Sequence, residues 1–223
     1  MRFADVQLVT PSFATIAAKQ VNTVIGRTER TDIPIPYGAA NCTPGRLPEL
    51  RPATVVAHVD TGSGQPHRVV FELPHPDPLL ARLLRDECSQ FLVEQTASIA
   101  FGEEWTETGT GKDAVMHAVL VVTRRGPGEL ELREVGATSH YDVRVADDPP
   151  GVLPAGAQRL EVPVRLTPSR CDGHSFGEAK KAFMFPVRAS LDGGEVRVVI
   201  VMPPKPVQDR LIRYAQRACG LGG

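Results

Sequence analysis

The stretch Gly173-His174-Ser175-Phe176-Gly177 has the letters G-x-S-x-G, which α/β-hydrolases use around a catalytic serine. That chemistry needs a strained strand-to-helix turn under the serine, and an acid and a histidine later in the chain. No histidine follows Ser175, because His174 is the last histidine of the sequence. The residues after the motif have the pattern of a β-hairpin and not of a helix. The sequence therefore predicts that Ser175 is not a nucleophile, and it identifies no catalytic residue.

Two other patterns are candidates for phosphate or metal binding. Gly109-Thr110-Gly111-Lys112 is similar to part of a phosphate loop, but Asp113 stands where a serine or threonine would bind magnesium. The six histidines show no H-x-x-x-H spacing, and the chain contains no C-x-x-C pair. We therefore expect no metal site and no cofactor.

The four cysteines occupy matching places in two halves of the chain, which predicts two disulfides, Cys42–Cys88 and Cys171–Cys219. The alternative is four reduced, buried thiols, since a free cysteine packs as a small hydrophobic residue. Disulfides of this kind persist outside the cytoplasm. The pattern predicts a secreted or cell-envelope protein, whereas free thiols would indicate a cytoplasmic one.

The sequence around the cysteines repeats with an offset of about 129 residues, which predicts an internal duplication. In each copy a cysteine is followed by a loop, a β-hairpin and a helix that leads to the second cysteine. Glu49 and Arg51 of the first copy correspond to Glu178 and Lys180 of the second. Because both copies have this charged pair, we interpret it as a support for the loop beside the disulfide.

Two residues remain as candidate ligand-binding positions. His174 occupies the place that Gly45 has in the first copy, so the shared scaffold does not need it, although drift explains the difference equally well. Trp105 is the only tryptophan and lies in the acidic, glycine-rich segment 102–112. An exposed aromatic residue there would anchor a partner, and the alternative is that it fills the groove between the two halves.

Short apolar segments bounded by turn residues predict strands and hairpins throughout. The predicted strands are 54–60 and 67–73 in the first half, then 115–123, 129–135, 141–145, 160–166, 183–191 and 196–202. In the first hairpin the alternation places Ala57 opposite Phe71. In the second, the turn at Gly193-Gly194 places Ala189 opposite Val198.

These elements predict a mainly β protein of two tandem β-sandwich-like domains, residues 1–104 and 112–223, each with a hairpin-then-helix unit and one disulfide. The segment 102–112 is expected to be the linker, or a long loop between the domains. The 25 basic and 26 acidic residues are interspersed, so no nucleic acid is expected as a partner. The chain has no apolar run of membrane-spanning length and does not open with a signal-peptide pattern.

The run Arg170-Cys171-Asp172-Gly173-His174, followed by Glu178 and Lys180, resembles a pattern of uncharacterised proteins exported by high-GC bacteria. The resemblance implies export and no assigned activity. We expect a non-catalytic extracytoplasmic binding or structural module with an unknown protein or small-molecule partner. The alternative is an enzyme or metal-handling protein with its site in the cleft between the domains.

Overall fold

The computed structural model describes residues 1–26, 30–171 and 181–221. The chain is mainly β and divides into two compact units, Met1–Cys88 and Ser89–Gly223. The segment 102–112, expected as the linker, lies in the second unit, and part of it pairs as a strand with its neighbour there. None of the helices in the described part of the chain combines the length and the apolar character that a membrane crossing requires.

The first unit contains an antiparallel sheet of four strands in the spatial order β2-β1-β3-β4. The strands are β1 (Arg2–Val9), β2 (Lys19–Val24), β3 (Thr54–Asp60) and β4 (His67–Glu72). Alternate residues of β3 are buried, as expected for a sheet with one covered face. No second sheet occurs among the described residues of this unit, contrary to the expected sandwich. The segment 30–53 is rich in proline, which lacks the N–H group that a strand ladder needs.

Helix α1 (Pro78–Thr96) covers this sheet with one of its faces. It begins after Asp77, whose carboxylate accepts a hydrogen bond from the Leu80 N–H at 2.9 Å and so caps the helix. Leu80, Leu84 and Cys88 lie on one helical stripe and share a buried core with β1 and β3. The first unit ends within this helix, at Cys88.

The first hairpin pairs Ala57 with Val69, two positions from the expected partner Phe71. Because side chains alternate with a period of two, this shift keeps the same apolar faces together. The Asp60 carboxylate accepts a hydrogen bond from the Gly62 N–H at 2.8 Å. That bond holds the start of the loop between the strands, and it lowers the pKa of Asp60.

The second unit contains two antiparallel sheets. A five-stranded sheet has the order β5-β7-β11-β9, with β6 also paired to β7, and a four-stranded sheet has the order β10-β8-β12-β13. The strands are β5 (Ala97–Phe101), β6 (Thr106–Thr108), β7 (Val115–Arg124), β8 (Leu130–Val135), β9 (Tyr141–Val145), β10 (Gly151–Leu153), β11 (Arg159–Pro168), β12 (Phe185–Leu191) and β13 (Val196–Val201). Both sheets, together with helix α2 (Lys205–Ala218), contribute side chains to one buried core.

The second hairpin pairs Ala189 with Arg197, one position from the expected partner Val198. A slip of one residue exchanges the two faces of a strand, so Val198 lies outside the core and is 36% exposed. The cause lies in the turn. The Asp192 N–H donates to the Glu129 carbonyl at 3.0 Å, and the Asp192 carboxylate accepts the Glu129 N–H at 2.7 Å. These two bonds tie the turn to the residue before β8, and the loop between the paired strands is longer than expected.

A β-bulge interrupts the pairing at a similar place in each unit. In the first unit Ala4 on β1 has no register partner on β3, and in the second Arg133 on β8 has none on β12. A bulge adds one unpaired residue to a strand and increases its local twist. Each bulge therefore lies on the strand that pairs with the first strand of a hairpin.

The predicted disulfides are confirmed. Cys42 is bonded to Cys88 with Cα atoms 5.2 Å apart, and Cys171 to Cys219 with Cα atoms 5.0 Å apart. Both separations lie in the usual range for a disulfide. Cys88 lies in the middle of α1, whereas Cys219 follows the last residue of α2. Each bridge attaches the loop before a hairpin to the helix after it.

Tyr214 on α2 and Arg124 on β7 fix the two ends of the β7–β11 pair. The Tyr214 hydroxyl lies 2.9 Å from the carbonyl oxygens of both Ala114 and Leu166, before β7 and within the end of β11. At the other end, the Arg124 guanidinium donates to several backbone carbonyls, including that of Pro154 in the turn before β11 at 2.7 Å. These bonds provide donors for backbone carbonyls at the strand end and in the adjoining turns.

Tyr141 differs from Tyr214 in its hydrogen bonding, although both side chains are fully buried. The Tyr141 ring packs near Phe183 and Phe185, and its hydroxyl has no hydrogen-bond partner in the described part of the chain. Burial raises the pKa of Tyr214 to about 12 and also raises the pKa of Tyr141. The folded protein therefore favours both neutral phenols more strongly than the unfolded chain does.

We predict opposite effects for Tyr214→Phe and Tyr141→Phe. Tyr214→Phe should lower the free energy of unfolding by about 1–3 kcal/mol, because it removes a buried hydrogen bond and leaves carbonyls unpaired. Tyr141→Phe should leave it unchanged or raise it by up to about 1 kcal/mol, because an unpaired buried hydroxyl is removed. Urea unfolding at pH 7 compares the two variants with the wild type.

The stabilities of Tyr214→Phe and Tyr141→Phe can also be compared with that of the wild type at alkaline pH. A phenol whose folded pKa exceeds its unfolded value of about 10 stabilises the fold below that pH and loses its contribution as pH rises through the folded pKa. Wild-type stability should therefore fall between pH 10 and pH 12, and Tyr214→Phe should show a smaller fall. Equal stabilities for the two variants at pH 7 would contradict the hydrogen-bond assignment.

We predict that each disulfide stabilises its own unit. In the chain-entropy model, a bridge across a separation of 46 or 48 residues contributes about 4 kcal/mol. Replacing both cysteines of one bridge by alanine should lower the midpoint of urea unfolding, with the other bridge intact as the internal control. Peptide mapping without reductant should link 42 to 88 and 171 to 219. Cross-linked peptides between the two pairs would show the pairing to be wrong.

Candidate functional site: a basic groove on the five-stranded sheet

The candidate site lies on the face of the five-stranded sheet that points away from the core. Side chains of a strand alternate between its two faces. On β7, Met116, Leu120 and Val122 are buried in the core, and the residues between them point to the other face. We call this second face the open face, and define it by the outward residues of β5, β6, β7, β9 and β11.

A groove with a volume of about 530 Å³ lies on the open face. Its apolar floor includes Val119 of β7 and Pro163 of β11, which are directly opposite each other in the ladder. Its polar lining includes Arg144, Arg165 and His117. A concave, partly apolar surface with a few convergent polar groups is the usual form of a ligand site.

The three polar residues form a row across neighbouring strands, which we call the basic row. Arg165 of β11 is the direct register partner of Arg144 on β9 and of His117 on β7. Neighbouring strands lie about 4.8 Å apart, so the row extends over about 10 Å. His117 is fixed by a hydrogen bond of 2.8 Å between its Nε2 and the Thr108 hydroxyl of β6.

Among the described residues, the two arginines of the row have no hydrogen-bond or ion-pair partner. Neither Arg144 nor Arg165 makes a hydrogen bond or an ion pair with any other side chain or carbonyl in the described part of the chain. Arg159 lies on the same face of the same strand as Arg165, and it pairs with Glu161 at 2.6 Å. Like charges directly opposite each other destabilise a sheet. Asp142 shares the open face of β9 with Arg144, but among the described residues it forms no ion pair with either arginine, so no ion pair neutralises the positive charge of the row.

Trp105, one of the two residues proposed from the sequence as ligand-binding positions, does not line this groove. Trp105 is a core residue of the second unit with 4% exposure, so the interpretation as an exposed anchor does not hold in this structure. Its indole N–H donates to the Gly102 carbonyl at 3.0 Å, and its ring packs 5.1 Å from that of Phe101. The cause is that segment 102–112 is not a linker but folds onto β7. His174 and Ser175 lie outside the described residues.

A second concave surface, of about 550 Å³, lies in the first unit and includes Arg46, Glu49 and Arg51. Its charges are mixed, and the Arg51 N–H donates a hydrogen bond to the Ser12 hydroxyl oxygen at 2.8 Å. The supporting role expected for Glu49 and Arg51 stays a prediction, and their counterparts Glu178 and Lys180 lie outside the described residues. Within the described residues, no group of three or more histidine, cysteine, aspartate or glutamate side chains is placed to hold a metal ion.

The residues of the basic row can be read from the sequence, but no sequence pattern predicts that they lie next to one another. Alternation along 159–166 shows that Arg159, Glu161 and Arg165 share a face. The pairing of β9 with β11 spans a proline-containing loop, so no local pattern places Arg144 opposite Arg165. The available signal is that Arg165 has no acid two residues away on its own strand, whereas Arg159 has Glu161 there.

Comparison of the chain with protein-family models, with curated proteins and with solved structures finds no match.

We predict that removing one arginine of the row stabilises the ligand-free protein. Arg144→Gln or Arg165→Gln relieves the repulsion of directly opposed like charges and should raise the free energy of unfolding by about 0.2–1 kcal/mol in low salt. The gain should shrink as salt is added, because exposed charges are screened. Arg159→Gln is the control, since it removes an ion pair and should give no gain. Equal losses in all three variants would show that the row has partners.

Proposed function

We propose that this chain is a non-catalytic, extracytoplasmic binding protein whose ligand lies in the groove on the open face. The observation that carries the proposal is the pair of opposed, unpaired arginines, Arg144 and Arg165, in the lining of a concave surface. The repulsion between the two arginines lowers the stability of the free protein, and binding of an anionic ligand would neutralise their charge. Functional sites commonly depart from the arrangement that would stabilise the fold best.

The polar groups of the groove favour binding over catalysis. Thr108 and His117 form a hydroxyl–imidazole contact of 2.8 Å, which is the first half of a nucleophile–base arrangement. A catalytic imidazole is normally oriented by a third group, usually a carboxylate. Among the described residues no carboxylate is hydrogen-bonded to His117. Arginine forks, by contrast, are effective recognition groups without any further chemistry.

The location outside the cytoplasm is supported by the two disulfides. Both bridges have ordinary Cα separations, and an oxidising environment preserves such bonds. Each bridge joins a long loop to a helix, so reduction would release a large part of each unit. The resemblance of the segment around Cys171 to exported proteins is consistent with the same location.

The proposal includes an internal duplication of the scaffold. In each unit a bulged strand pairs with the first strand of a hairpin, and a helix attached by a disulfide follows the hairpin. The bulge residues Ala4 and Arg133 are separated by the same offset as the first cysteines, about 129 positions. A bulge that recurs at this distance supports the duplication more strongly than a similar strand content does, because bulges are retained as specific features.

The cross-strand pairs beside the bulges also correspond. In the first unit Asp5 contacts His58 at 2.8 Å, and in the second Glu134 contacts Arg188 at 2.9 Å. Each acid follows its bulge directly, and each basic residue occupies the register position opposite it. The correspondence supports a common ancestor for the two sheets, β2-β1-β3-β4 and β10-β8-β12-β13.

The five-stranded sheet is the part of the second unit without a counterpart among the described residues of the first. It faces the four-stranded sheet across one shared core, which supports a β-sandwich-like arrangement for this unit. The groove lies on this additional sheet. The duplicated scaffold therefore supplies stability, and the additional sheet supplies the binding surface.

We predict that Val119→Trp blocks the groove while the fold is retained. Val119 forms part of the floor, and tryptophan is well accommodated in strands. Small molecules from an extracytoplasmic extract of the native cells should be retained by the immobilised wild type and lost from Val119→Trp, as read by mass spectrometry. Val121→Trp, two residues along on the same face and outside the groove lining, is the matched control.

Equal retention by Val119→Trp and the wild type would contradict the proposed site.

Fractionation of native cells tests the location separately: the protein should be found outside the cytoplasm with all four cysteines bridged. Recovery of free thiols from protein alkylated at lysis would contradict the extracytoplasmic assignment.

A further inference from the structure

We infer that the ligand of the groove carries two oxyanion groups, one for each arginine of the basic row. This inference rests on the proposed binding function and specifies the chemical class of its ligand. Arg144 and Arg165 are adjacent across a single strand spacing of about 4.8 Å. Each guanidinium presents a planar fork that binds a carboxylate or phosphate through two parallel hydrogen bonds.

One singly charged group does not satisfy the row. One carboxylate carries a single negative charge against two guanidiniums, and its acceptor sites would have to be shared between the two forks, which leaves most donors of the row unfilled. Among the described residues no protein carboxylate forms an ion pair with Arg144 or Arg165, although Asp142 lies on the same face of β9 as Arg144. A ligand with two oxyanions at about the strand spacing satisfies both forks together.

The remaining lining indicates how such a ligand would lie. The floor between the charged groups is apolar, with Val145 of β9 next to Pro163 and Val119 of the neighbouring strands. Glu104 precedes β6 and lies at the opposite end of the groove lining from β9. A carboxylate there repels an anion, so the anionic groups of the ligand are directed toward Arg144 and Arg165.

Both dicarboxylates and compounds with two linked phosphates have this chemistry, and two probes distinguish them. Glutarate carries two carboxylates on a short carbon chain, and inorganic pyrophosphate carries two phosphates. Acetate, with one carboxylate, is the reference. Calorimetric titration at low ionic strength, with ¹H–¹⁵N spectra to locate the shifted amides, measures the three affinities. The wild type should bind glutarate or pyrophosphate at least about tenfold more tightly than acetate.

Variants test whether both arginines take part. Arg144→Gln and Arg165→Gln should each weaken binding of the preferred probe by about tenfold or more, because charge-assisted bidentate bonds are lost. Arg159→Gln should stay within about twofold of the wild type, since its charge lies outside the groove lining. Shifted amides should lie on β7, β9 and β11.

The free energy of unfolding, measured with and without probe, gives a further test. A purely structural role of Arg165 predicts no change in the order of stability of the two proteins. Without probe, Arg165→Gln should be more stable than the wild type, and with saturating probe the order should reverse, because the ligand stabilises the form that binds it. The inference is overturned if glutarate and pyrophosphate bind the wild type no more tightly than the Arg144→Gln/Arg165→Gln double variant does. It is also overturned if acetate binds as well as both probes.

Failure of this inference is distinguishable from failure of the proposed function. If molecules captured from the native extract are lost from Val119→Trp but retained by the double arginine variant, the groove binds a ligand that is not a dianion. In that case the binding function stands and the ligand class is wrong. If nothing captured depends on Val119 and neither probe binds, both are wrong.

Discussion

The Tyr214 hydroxyl joins the start of β7 to the end of β11, through the carbonyls of Ala114 and Leu166 at 2.9 Å each. Arg124 closes the other end of the same strand pair through backbone carbonyls of the neighbouring turns. Together they oppose sliding of β11 along β7. A slip of one residue would turn Arg165 toward the core and a core residue such as Val164 toward the groove. The basic row exists because this register is held from both ends.

Burial of side chains on the core-facing side of β11 stabilises that register. This stabilisation allows an unfavourable pair of charges on the open face. Val162, Val164 and Leu166 of β11 are all buried in the shared core. Each buried aliphatic side chain contributes about 1.5–3 kcal/mol relative to exposure. Two opposed arginines cost less than one such residue contributes, on the scale of cross-strand pairs, about 0.2–1 kcal/mol. The sheet can therefore hold a repulsive pair on its open face without losing its fold.

The features that could be predicted from the sequence are those set by local pattern or by repetition. Both hairpins, the helices after them and the pairing of Cys42 with Cys88 followed from alternation and from the repeat. The register of neither hairpin was predicted correctly. The first is shifted by two positions, which keeps the same faces together, and the second by one, because the contact of Asp192 with Glu129 joins positions far apart in sequence. Trp105 was misplaced for a similar reason, since glycine-rich composition predicted a linker and gave no sign that β6 pairs with β7.

The groove could not be predicted from a single sequence. β9 meets β11 across a long connection, so the row depends on a pairing that is neither local nor repeated in the first unit. The proposed duplication separates the elements that both units share from those found in the second unit. Elements that both units share, such as the bulge beside Asp5 and the bulge beside Glu134, are explained by the needs of the scaffold. Among the described residues of the first unit no sheet corresponds to the five-stranded sheet, and on its open face Arg144 and Arg165 lie side by side without an ion pair. This charge arrangement does not stabilise the fold, and for that reason we propose that a ligand binds there.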